Sequence, residues 1–121
     1  MVSPITPKAD WEKVKNFTKA IAEAMAADSP GKYLAVMTKA RRKGRIFVDY
    51  LRNGRGATAA AAYSTRARTG AGVSVPLTWS ELESGIRANQ FTIDNLRQRL
   101  GHRRRDAWAG FFDLKQNLPR S

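Results

Sequence analysis

Lys39-Ala40-Arg41-Arg42-Lys43-Gly44-Arg45-Ile46-Phe47-Val48-Asp49-Tyr50-Leu51-Arg52-Asn53-Gly54-Arg55-Gly56 runs from a cationic cluster through an apolar run into a glycine-rich turn. Arg45 to Leu51 is rich in β-branched and aromatic residues and reads as the strongest strand of the chain. With a period of two, Ile46, Val48 and Tyr50 share one face, and Arg45, Phe47, Asp49 and Leu51 share the other. Upstream, Thr38 to Lys43 reads as a helical turn that closes on Gly44, where a left-handed residue is favoured. Downstream, Asn53-Gly54-Arg55-Gly56 reads as a turn.

Working outward toward the amino end, Asp10 is placed to cap a helix starting at Trp11. Trp11, Val14, Phe17, Ile21 and Met25 recur at three- and four-residue steps, so they line one helical face. Asp28-Ser29-Pro30-Gly31 ends that helix, and Tyr33 to Met37 is either a strand or the run-in to the next turn. Toward the carboxyl end, Ala57 to Ala62 has helical propensity but too little length or pattern to assign. Thr65 to Gly72 is a basic loop, and Val73 to Pro76 reads as an edge strand because proline cannot donate to a ladder. Thr78-Trp79-Ser80-Glu81 is a capping box opening a short helix. Ile93, Leu96 and Leu100 mark another short helix with Gly101 at its end, and Trp108, Phe111, Phe112 and Leu114 offer a last apolar surface. The expected class is α+β, a small sheet flanked by helices. Residues 1–9 read as a lead-in, 10–118 as one domain and 119–121 as a tail.

A chain of 121 residues is one small domain. Its apolar fraction is 42%, yet 18 of those residues are alanine, so the supply of core side chains is thin. The absence of cysteine excludes disulfides, cysteine-ligated zinc and thiol catalysis, and a lone histidine excludes two-histidine metal motifs. No apolar run is long enough to span a bilayer, and residues 1–8 lack the apolar core of a signal peptide. A cytoplasmic location is the expectation, with no membrane partner. Charge is the dominant signal, +12 from 22 basic and 10 acidic residues, with arginine ahead of lysine. From Ser29 to Ser80 Asp49 is the one acid among ten bases, and Arg97, Arg99, Arg103, Arg104 and Arg105 cluster further on. Such an excess points to a polyanion, nucleic acid or nucleotide phosphate. A membrane surface fits less well, since the Arg97–Arg105 segment has no broad apolar face.

Four residues are candidates for chemistry. Asp49 interrupts an apolar strand, a common way to hold Mg²⁺ or Mn²⁺, although its spacing favours an ion pair with Arg45 or Arg52. Arg66 and Arg68 flank Ala67, so in an extended segment both face one way, and with Arg52 they suit phosphate oxygens or else decorate a solvated loop. Two-metal phosphoryl transfer needs several carboxylates, and no Asp-x-Asp or Glu-x-Asp pair occurs; Glu81-Leu82-Glu83 comes nearest. His102 lies in a run of arginines and offers no catalytic partner, and the three tryptophans read as core before stacking platforms. Ser64, Thr65 and Ser74 have no companion base, so nucleophilic catalysis has no support.

The stretch from Lys39 to Ala59 resembles the last active-site motif of the polymerase domain of bacterial DNA ligase D, in the archaeo-eukaryotic primase superfamily. Tyr63-Ser64-Thr65-Arg66-Ala67-Arg68, Val75-Pro76-Leu77-Thr78-Trp79-Ser80-Glu81-Leu82 and Asp106-Ala107-Trp108-Ala109-Gly110-Phe111-Phe112 continue the resemblance in order, so that it runs from about Trp11 to Leu118. The resemblance implies that residues 10–118 are the later part of such a domain. It implies that Asp49 is the third metal-binding aspartate, the catalytic and metal residue of this stretch, and that Arg52, Arg66 and Arg68 line a nucleotide and phosphate pocket. It further implies Mn²⁺ or Mg²⁺ as cofactor, nucleotide addition to DNA ends in end-joining repair, and work beside the end-binding protein Ku.

The family's Asp-x-Asp pair and serine-histidine motif are expected upstream of the matched stretch. Ala62, Thr69 and Gly72 also stand where the family favours proline. The chain alone is therefore expected to be catalytically silent while binding DNA or a nucleoside triphosphate. The alternatives are a non-enzymatic basic nucleic-acid-binding module, or one half of a split polymerase completed by a second chain. A part of a larger domain leaves apolar surface uncovered, so self-association is expected.

Overall fold

Asp10 does cap the first helix, α1 (Trp11–Asp28): its Oδ1 accepts from the Lys13 amide at 2.8 Å. At the other end the Ser29 amide donates back to the Met25 carbonyl at 3.0 Å. The computed structural model describes residues 1–102 and 105–120. They fall into two units, Met1–Thr58 with Lys115–Ser121, and Ala59–Leu114.

In the first unit α1 packs on a two-stranded parallel sheet made of β1 (Tyr33–Leu34) and β2 (Ile46–Phe47). Tyr33 stands opposite Ile46 and Leu34 opposite Phe47. The Ile46 and Val48 amides donate to the Lys32 and Leu34 carbonyls at 2.7 and 2.9 Å, acceptors two residues apart as a parallel ladder requires. Between the strands a 3₁₀ turn, Lys39–Arg42, leads to Gly44 at φ 70°, the left-handed position expected there. The carboxyl tail returns to the lead-in: the Thr6 amide donates to Gln116 O, and Gln116 Nε2 donates to Pro4 O.

Burial in this unit centres on Ala22 and Leu34. Val14, Phe17 and Met25 are half-buried as the helical periodicity predicts, but Trp11 and Ile21 are exposed, so the buried stripe is narrower than the apolar one. The strand expected over Arg45–Leu51 pairs only at Ile46–Phe47. Its partner is two residues long, and beyond Val48 the Asp49 side chain bends the backbone into a turn. Of the face shared by Ile46, Val48 and Tyr50, Val48 and Tyr50 are half-buried while Ile46 is 65% exposed.

Ala57–Ala62 forms no helix: the chain is irregular from Ala57 to Ala61 and turns at Ala62 and Tyr63, the latter two in the second unit. The edge strand expected at Val73–Pro76 reduces to an isolated antiparallel bridge, Thr65 with Val73. It closes the basic loop, helped by bonds from Arg66 N to Gly72 O and from Ser74 N to Ser64 O. Val73 is buried and its amide donates to Phe91 O, fixing the loop's base. The capping box forms as read: Thr78 Oγ1 accepts from the Glu81 amide, and Glu81 Oε2 accepts from the Thr78 amide, opening α2 (Trp79–Glu83). Helix α3 (Ile93–His102) follows, with Gly101 inside it rather than beyond it. Trp108 stacks on Phe111 with centroids 4.7 Å apart, and Phe111 meets Phe112 edge-on in a short 3₁₀ turn, Phe111–Asp113.

Among the described residues three helices and a small parallel sheet make the expected α+β class. Among the described residues no helix is long and apolar enough to cross a membrane.

Candidate functional site

Asp49 sits just past β2, where the ladder ends. Its Oδ1 accepts from the Leu51 amide at 2.9 Å, an Asx turn that redirects the chain out of the sheet. Its Oδ2 meets Arg52 Nε at 2.9 Å, and Arg52 Nη1 donates to Thr58 O at 3.1 Å. The ion pair anticipated from spacing thus forms with Arg52. The guanidinium bridges the carboxylate to the far side of the Asn53–Gly56 turn, whose Gly56 takes φ 78°. Asp49 and Arg52 are 30% and 66% exposed, so the pair is open to ligands on the arginine side.

Both oxygens of Asp49 are therefore engaged within one turn. Among the described residues no three His, Cys, Asp or Glu side chains gather where they could hold an ion. A two-ion phosphoryl-transfer centre needs several carboxylates around its metals. The residues present do not by themselves fit the Mn²⁺ or Mg²⁺ centre that the resemblance implies.

Arg66 and Arg68 lie on the basic loop of the second unit. The segment is not extended there: the Arg68 amide donates to Arg66 O at 2.8 Å, a three-residue turn about Ala67. A second tight bond, Ala71 N to Arg68 O, folds the loop tip, with Ala71 at φ 41°. Tyr63, at φ 63°, stands in the left-handed region that bulky residues avoid, held by its amide's bond to Ser74 O. Both arginines are exposed, and among the described residues neither forms an ion pair. Their donors face solvent rather than protein acceptors, as a phosphate-binding group requires.

Sequence reasoning grouped Arg99 with a basic cluster. Arg103 and Arg104 of that cluster lie outside the described residues. Arg99 leaves it for a structural reason: Nη1 and Nη2 meet Glu81 Oε1 and Oε2 at 2.5 and 3.1 Å, and Nη2 also donates to Pro76 O. Its guanidinium lies over the Phe91 ring at 4.5 Å. This bond also accounts for Glu81, which is a cap and an ion-pair partner. Arg42 likewise stands in the sequence as one of a cationic run. It lies over Phe47 at 4.6 Å and donates from Nη2 to Met37 O at 2.8 Å, pinning the 3₁₀ turn to β2. No spacing signal marks either arginine, because the partner rings and carbonyls come from other elements. His102 Nδ1 bonds Gln98 O within α3.

Residues 1–108 match the family model of the LigD primase-polymerase domain. The multifunctional non-homologous end joining protein LigD of Pseudomonas aeruginosa is 42% identical over 119 residues, covering 98% of this chain and 14% of that protein. The bifunctional non-homologous end joining protein LigD of Bacillus subtilis is 30% identical over 115 residues, 94% of this chain and 18% of that protein. A Mycobacterium tuberculosis LigD protein is 38% identical over 65 residues, 54% of this chain. The chain spans less than a fifth of the length of the first two relatives. With the match running through the Asp49 turn and the Arg66–Arg68 loop alike, the chain belongs to the LigD primase-polymerase domain family.

Proposed function

We propose that this chain binds nucleotide phosphates or DNA as part of a LigD-type polymerase domain and adds no nucleotides by itself. Arg52, Arg66 and Arg68 supply the phosphate contacts. Asp49 supplies one carboxylate of a site for Mn²⁺ or Mg²⁺ that other carboxylates must complete. The observation that carries this reading is the geometry of Asp49, which holds Arg52 through one oxygen and its own turn through the other. A solitary, locally satisfied carboxylate positions an arginine well and holds two metal ions badly. On this reading a partner chain or segment carries the remaining acids, the assembly serves DNA end joining beside Ku, and the setting is cytoplasmic.

Template-dependent nucleotide addition assayed on the purified chain with Mn²⁺ tests the claim. No product, alongside retained oligonucleotide binding, is expected; incorporation by the pure 121-residue chain contradicts it.

A second reading, a basic nucleic-acid-binding module with no catalytic partner, is favoured by the neutralisation of Asp49 by Arg52. Mixing the chain with candidate partner polypeptides separates the two, since only the first reading predicts that activity can be restored.

A further inference from the structure

Beside α1, in the first unit, lies a groove of about 970 Å³ that shares no residue with the Asp49 turn. One wall is α1, presenting Lys13, Asn16 and Phe17; the other is the returning tail, presenting Asn117, Leu118 and Arg120, with Lys8 of the lead-in at one end. The wall is held in place by Thr6 N to Gln116 O at 2.8 Å and by Gln116 Nε2 to Pro4 O at 2.6 Å. The groove therefore depends on residues 3–8 and 115–120 being joined, not on a loose terminus.

Its chemistry is two-layered. Phe17 and Leu118 are half-buried and form an apolar floor. Lys8, Lys13 and Arg120 are exposed, and among the described residues none of them forms an ion pair. Among the described residues no acidic side chain lines the groove. Neither Glu12 nor Asp10, the acids nearest Lys13 in sequence, lines it, and Asp10 spends its Oδ1 on the Lys13 amide. Asn16 and Asn117 add side-chain amides that both donate and accept, the complement of a base edge. The volume lies at the upper end for small-ligand sites and exceeds what one phosphate needs.

We propose that this groove binds single-stranded nucleic acid, with phosphates on Lys8, Lys13 and Arg120 and a base against Phe17. A cationic rim over an aromatic, apolar floor is the arrangement by which proteins track a single strand without reading its sequence. An acidic peptide would satisfy the cations but leave the Phe17 face and the amides unused. The site is independent of Arg66, Arg68 and Asp49.

The test is anisotropy of a labelled short oligodeoxythymidylate on the full chain across a salt series. Three phosphate contacts to a single strand contribute about 2 to the slope of log affinity against log salt. Lys8→Ala/Lys13→Ala/Arg120→Ala is expected to lower the slope by about that amount and to weaken binding about tenfold or more at low salt. The single variants Lys8→Ala and Arg120→Ala, at exposed positions, should each remove about 0.7 of slope, which keeps the test decisive if the triple variant does not fold. An abasic strand of equal length should bind about fivefold or more weakly, because stacking is lost. An unchanged slope in the variants overturns the proposal, as does equal affinity for the abasic strand or for polyglutamate of matched charge. Loss confined to Arg66→Ala/Arg68→Ala would overturn this groove while leaving the phosphate role of the basic loop standing.

Discussion

Arg99 of α3 grips Glu81 of α2 through both carboxylate oxygens, at 2.5 and 3.1 Å, while the same guanidinium covers Phe91 and bonds the Pro76 carbonyl. The pair joins residues eighteen positions apart, and at 12% and 21% exposure both side chains are largely shielded from water. Among the described residues of this unit only Val73 and Pro76 are buried, and the clamp ties together the segments that carry Pro76, Glu81, Phe91 and Arg99.

Lysine at this position keeps the charge but cannot form the fork or cover the ring. Arg99→Lys is expected to cost about 2 kcal/mol, and Arg99→Ala about 3 kcal/mol because the fork on Glu81, the bond to the Pro76 carbonyl and the cover over Phe91 are lost together. Urea unfolding followed by tryptophan fluorescence measures both, and equal stability of the three proteins would show the clamp to be ornamental.

Leu34 plays the matching part in the first unit, 8% exposed where α1 meets the sheet. Leu34→Ala should cost about 2–4 kcal/mol and, with so few buried side chains to share the loss, bring the unit close to unfolding. Far-ultraviolet circular dichroism of α1 during a thermal melt reads this directly. A change in melting temperature of a degree or less would mean that the core lies elsewhere.

These two residues also show what was legible in the chain. Helix α1 and the α2 capping box were readable because their signals are local: Asp10 caps three residues on, and Thr78 and Glu81 satisfy each other's amides. The Asp49–Arg52 pair was readable for the same reason, three residues apart on one turn. Arg99 was not, since its partners Glu81, Pro76 and Phe91 come from other segments and its composition matched a basic cluster. The strand at Arg45–Leu51 was over-read because β propensity describes seven residues, while pairing is set by a two-residue partner and by the Asp49 turn. Apolar periodicity likewise marked more surface than this chain covers. Ile46, Trp79 and Phe112 remain 65%, 72% and 88% exposed.

That exposed surface carries its own prediction. Sedimentation velocity should show concentration-dependent association of the chain, and Phe112→Ser/Trp79→Ser should reduce it without loss of helix. A strictly monomeric wild type at high concentration would contradict this.

Asp49→Asn separates the roles of the carboxylate. Asparagine retains an oxygen for the Leu51 amide but releases the charge on Arg52. Oligonucleotide affinity should therefore hold or rise, with a steeper salt dependence. A fall in affinity that Mn²⁺ reverses only in the wild type would instead assign Asp49 to metal binding within this chain.

The most direct measurement is an amide-resolved titration of the chain with a nucleoside triphosphate, with Mg²⁺ present and absent. The account predicts saturable shifts at Arg52, Arg66 and Arg68 in both conditions, with Mg²⁺ adding little because among the described residues no carboxylates gather with Asp49 to hold an ion. Binding that leaves all three arginines unmoved, or shifts at Asp49 that require the metal, would contradict it.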